Sequence, residues 1–75
     1  MSPPTIRAEL AAAVRAVNVA FYRLPESART QIDPRIDPAE DEVNAAILAD
    51  DRERAMAAIR AWRGYWLDRI EQVAK

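Results

Sequence analysis

Apolar side chains recur along this chain at intervals of three and four residues, and no stretch alternates strictly between apolar and polar. In the first third, Ile6, Leu10, Val14, Val17, Phe21 and Leu24 follow one another at spacings of four and three. At about 100° per residue these positions share one narrow arc of a helix. Ala13 and Ala20 border the arc, and large residues edged by alanine suit close packing against a second helix. Ser2-Pro3-Pro4 offers an N-cap serine followed by prolines, which the first helical positions tolerate. Leu24-Pro25 ends the run, because the residue before a proline is pushed out of the α region. The pattern predicts a helix over about 4–24.

A proline-punctuated connector follows, about 25–37. Pro25-Glu26-Ser27-Ala28-Arg29 suits one helical turn, and Asp33-Pro34 and Asp37-Pro38 are turn signals. Ile32 and Ile36 give the connector two apolar anchors. A second helix is expected over about 38–49, with Asp37 as N-cap, Pro38 at the first position and Glu40 completing a capping box. Its inner face would be Val43, Ala46 and Ile47, with Leu48 beside them. The third helix, about 51–73, starts at once with Asp50 as N-cap and Glu53 three residues on. A linker this short makes the last two helices an αα-hairpin or corner.

The third helix carries the broadest apolar face: Met56, Ile59, Trp62, Trp66, Leu67, Ile70 and Val73. Both tryptophans of the protein lie in it. They are read first as core packed against helix one, since stripes at helical spacing usually face a core. The face is wider than one partner helix covers, so either both other helices pack there or part of it stays open to another chain. The expected architecture is therefore all-α: a small three-helix bundle in a single domain over 1–75, with a long helix, a connector, a short helix and a long helix.

At 75 residues, such a domain buries only roughly 60% of its unfolded surface and is marginal without help. The chain has no cysteine and no histidine, which removes disulfides and speaks against zinc. Net charge is −1, from 11 basic and 12 acidic residues, so no global field favours nucleic acid or an anionic membrane. Lys75 is the only lysine; with the alanine content, this arginine excess suggests codon bias in a GC-rich bacterial genome. No apolar run of the roughly 7–15 residues of a signal peptide lies near the N-terminus, and no ~18-residue apolar span occurs. The reading is a cytoplasmic protein with no membrane span.

Chemistry is hard to build from these residues. Without histidine or cysteine there is no Ser-His or Cys-His pair, and the single glycine, Gly64, rules out a phosphate-cradling loop. The acidic set Asp33, Asp37, Glu40, Asp41, Asp50 and Asp51 lacks the alternation and glycine of a calcium loop, and helix capping accounts for Asp37, Glu40 and Asp50. No catalytic, cofactor-binding or metal-ligating residue is assigned, and no enzyme activity is expected. Arg52, Arg54, Arg60, Arg63 and Arg69 scatter around the last helix with Glu53, Asp68 and Glu71 between them. They do not make the basic stripe that a phosphate backbone demands.

The candidate interface residues are Trp62, Arg63, Tyr65, Trp66 and Ile70. Tryptophan, tyrosine and arginine are the types enriched at binding hot spots. Arg63 falls inside the apolar arc between Ile70 and Met56, where its methylenes can lie on apolar surface while its head stays in water. Gly64 costs the helix roughly 1 kcal/mol relative to alanine; a close backbone approach or an exposed, undemanding position would each account for it. The function these residues favour is a non-catalytic protein–protein interaction module, self-associating (a homodimer) or binding a larger bacterial protein. Two alternatives stand beside it: a nucleic-acid-associated accessory protein of a phage or plasmid, and a small structural subunit of an enzyme or ribonucleoprotein assembly.

Overall fold

Three α-helices make up most of a computed structural model of the chain, which describes residues 5–30 and 34–74. α1 spans Ile6–Phe21, α2 Ile36–Leu48 and α3 Arg52–Ala74; a 3-10 turn, Glu26–Thr30, lies in the connector, and no strand occurs among the described residues. The protein is an all-α three-helix bundle, as the periodicity implies.

α1 is capped by Thr5; the Ser-Pro-Pro run expected to open it lies outside the described residues. Thr5 is extended (φ −81°, ψ 160°) and its hydroxyl accepts the Ala8 N–H at 3.0 Å, satisfying one of the helix's orphan donors. The helix stops three residues before Leu24. There the backbone tightens into i→i+3 bonds, Arg23 N–H to the Ala20 carbonyl (3.3 Å) and Leu24 N–H to that of Phe21 (3.1 Å). Leu24 itself is buried, and its carbonyl accepts Arg29 Nε at 3.1 Å, which ties the 3-10 turn to the end of α1.

The inner face of α1 is also rotated from the expected one. Ala13 (1% exposed) and Val17 (4%) sit at its centre, whereas Val14 is 37% exposed. Alanine at the contact lets two backbones approach closely, so the expected flank is the seam and one member of the stripe becomes an edge.

α2 begins at Ile36 rather than after Asp37. Arg35 occupies the cap position without a side-chain bond that caps the helix, and Asp37 and Pro38 fall in the first turn. Proline is tolerated there because the first four helical N–H groups have no intrahelical acceptor, and burying Ile36 draws the start upstream. Ile32 lies outside the described residues. α2 docks through Ile36, Val43 and Ala46; Ile47 is 37% exposed and so lies outside the inner face expected of it, and Leu48, expected beside that face, is almost fully exposed.

The joint between α2 and α3 is a two-residue cap. Asp50 adopts φ 54°; its N–H donates to the Ile47 carbonyl (3.0 Å), and the Asp51 N–H donates to that of Ala46 (3.2 Å). This paired closure with a left-handed residue after the helix is a Schellman cap. Asp51, not Asp50, then caps α3: its carboxylate accepts the Arg54 N–H at 3.1 Å and its carbonyl accepts that of Ala55 at 2.8 Å.

α3 is the spine. Bonds from Arg35 to Asp68 (2.9 Å) and from Arg54 to Glu42 (2.6 Å) pair the start of α2 with the later part of α3 and its middle with the start of α3, an antiparallel hairpin. α1 packs on the other flank of α3, with Arg60 reaching Glu9 at 3.5 Å. α1 and α2 each lie against α3 and barely touch one another. The result is flattened, 38 × 28 × 15 Å. Its core joins Ala13, Val43, Ala58 and Ile59, with Ile6, Leu10 and Trp62 packed against them.

Candidate protein-interaction surface

The wide apolar face of α3 is covered from two sides, and the two coverings divide the five candidate interface residues. Trp66 lies on the α1 side. Its ring meets Phe21 edge-on with centroids 5.6 Å apart, and Trp62 at 6.5 Å; Phe21 in turn meets Tyr22 at 5.3 Å. Edge-to-face rings at these separations are favourable beyond their burial. This ladder climbs from the floor of the molecule to Tyr22, which is 66% exposed.

Tyr65 lies on the α2 side. The Arg35 guanidinium sits over its ring at 5.0 Å while also bonding Asp68 at 2.9 Å, so one arginine joins a cation–π contact to an ion pair. Gln72 donates to the same Asp68 oxygen at 3.2 Å. Ile70 is buried, and Arg63 is half-buried on α3. The set is thus spread over two seams and a core position.

Between the two coverings is a cleft. Trp62 forms its floor, Leu10 and Val14 of α1 one wall, and Glu40, Val43 and Asn44 of α2 the other; its volume is ≈ 220 Å³. At about 30 Å³ for each liquid water, that is room for one large side chain. Leu10 and Val14 also line the depression that continues around α1 past Arg7, Arg15 and Asn18. Of these residues only Trp62 was a sequence candidate. Val14 and Val43 were assigned to the core, and the polar residues Glu40 and Asn44 carry no periodic signal.

Electrostatics on the α2 flank are well formed. Arg54 holds Glu42 in a fork, Nε to Oε2 at 2.9 Å and Nη2 to Oε1 at 2.6 Å. The Arg54 hydrogen bond lowers the Glu42 pKa from 4.5 against an opposing effect of burial, with a smaller contribution from the Arg54 charge, and Glu42 raises that of Arg54 in return. Both side chains are exposed, so the pair adds little to stability. The cross-helix pairs engage Arg35, Arg54 and Arg60 with carboxylates, which leaves no continuous basic stripe on α3.

Gly64 faces open space: a β-carbon there would meet nothing within 4 Å, so no close approach within the chain demands glycine. Among the described residues, no three carboxylates gather where they could hold a metal ion, and no helix is long and apolar enough to cross a membrane. No protein-family model, curated protein or solved structure matches the chain.

Proposed function

We infer that this protein is a non-catalytic helical module for protein–protein interaction, and that its binding surface is the seam between α1 and α2 rather than the aromatic face of α3 as a whole. One observation carries the reading. The two helices flank α3 without closing over it, so Val14 of α1 stays 37% exposed above the apolar floor of Trp62, and the equally exposed Ile47 of α2 follows one helical turn after Val43 and Asn44 of the opposite wall. An apolar centre bordered by Glu40 and Asn44 has the layout of an interface, with a desolvated middle and a polar rim.

The experiment is a comparison of the native chain with Val14→Asp/Ile47→Asp. Both positions are exposed, so each variant should keep its helical circular dichroism. Self-association by light scattering over a hundredfold concentration range, and proteins retained by the immobilised chain from the cell that makes it, are measured for both. A complex of either kind that the double variant loses supports the reading. A native chain that neither associates nor retains anything the variant fails to retain overturns it.

A further inference from the structure

The two walls of the seam carry opposite charge that is not used inside the molecule. On α1, Glu9 is engaged by Arg60, and the remaining charged residues are Arg7 and Arg15, both exposed and in no ion pair among the described residues. On α2, Glu42 is engaged by Arg54, and Asp37, Glu40 and Asp41 are exposed and likewise in no ion pair among the described residues. Arg7 and Arg15 border the depression shared with Leu10 and Val14. Glu40 lines the cleft from the α2 side, and the exposed Asp37 and Asp41, four residues apart, share a helical face beside it.

Resting on the reading of the seam as a protein-binding surface, we propose that its occupant is a second copy of this chain, docked about a two-fold axis so that α1 of each copy lies across α2 of the other. A two-fold contact uses one patch twice, residue i meeting j and j meeting i. Here that operation brings Arg7 and Arg15 of each copy to the acidic wall of the other and closes Leu10 and Val14 over Val43 and Ile47. An unrelated acidic partner would answer only the α1 wall, and a basic partner only the α2 wall; a second copy answers both at once. The chain also has few other supports, having neither cysteine nor histidine, and association is one route by which so small a core gains burial.

The test is sedimentation equilibrium of the native chain, of Arg7→Glu/Arg15→Glu, of Glu40→Arg/Asp41→Arg, and of the chain carrying all four reversals. The last has the native net charge, since the changes of −4 and +4 cancel. The native chain is expected to be a dimer that weakens as salt rises. Each charge-reversed pair should weaken dimerisation at least about tenfold, and the fourfold variant should restore it. A monomeric native chain at every concentration overturns the proposal, as does a dimer indifferent to both reversals or a fourfold variant that stays monomeric. The seam reading fails separately. A dimer that ignores the reversals but is lost in Val14→Asp/Ile47→Asp leaves that reading standing, and the retained-protein comparison decides it if the native chain is monomeric.

Discussion

Adjacent aspartates in the α2–α3 joint should respond to substitution with opposite signs. Asp50 holds φ 54°, a conformation that costs an L-residue roughly 1–2 kcal/mol, least for asparagine and aspartate. Glycine enters it freely but loses more freedom on folding, so Asp50→Gly should raise stability by about 0.5–1 kcal/mol. For a domain of this size that is roughly 2–8 °C in melting temperature. Asp51 lies between the helices, and its carboxylate caps the Arg54 N–H at 3.1 Å. Asp51→Ala keeps the backbone bond to Ala46 and loses the cap, at a cost of about 1 kcal/mol. Thermal and urea unfolding followed by far-ultraviolet circular dichroism measure both, with Asp50→Asn as the control that removes charge but tolerates the left-handed region. An unchanged or lower melting point for Asp50→Gly would refute the argument from backbone strain. A full gain already present in Asp50→Asn would assign the effect to charge.

Three further outcomes follow from the same geometry. Gly64→Ala places a methyl group in open space on α3 and should stabilise by up to about 1 kcal/mol; a lower melting point would mean the position is covered in solution. Ile59 is fully buried, so Ile59→Ala should cost roughly 2–5 kcal/mol against a total of about 3–5 for a core this small, and should abolish most cooperative unfolding while Ile59→Val melts cooperatively; a near-native melt for the alanine variant would contradict the assigned core. The Glu42 pKa is depressed when folded, so its contribution is complete above the ordinary value of 4.5 and lost as pH falls through the lowered one. Melting curves of the native chain and Glu42→Gln should therefore converge in acid, and a gap that persists there would show that the pair is not its source.

Helix count and order were legible because helical spacing runs through Ile6–Leu24 and Met56–Val73 with proline between. The ends were not, for a physical reason particular to each. Two neighbouring aspartates can both cap, and only the left-handed backbone at Asp50 decides that Asp51 does so. At α2, burial of Ile36 outweighs the side-chain cap that Asp37 could have made. The face of α1 is turned by a fraction of one residue's rotation, keeping Val17 and Leu24 inward but moving Val14 to the edge, since periodicity centres on the large residues and close packing centres on Ala13. The candidate site suffered the same limit. The stripe on α3 was visible, but its division between two seams depends on which helix covers each edge, and the ion pairs from Arg35, Arg54 and Arg60 all cross between helices.

Trp62 explains why the seam has to be tested through its walls. Its ring packs against the core of Ala13, Val43 and Ile59 and at the same time floors the cleft. Truncating it would open a cavity costing roughly 3–5 kcal/mol, comparable to everything a domain this small has, and loss of binding would then report unfolding. Val14 and Ile47 are different, because both are 37% exposed and neither belongs to the buried core. Beyond them, Arg7, Arg15, Glu40 and Asp41 enter no ion pair among the described residues. The surface thus grades outward from Trp62, where stability and recognition are inseparable, through Val14 and Ile47, to Arg15 and Glu40, where a change of charge alters association and leaves the helices intact.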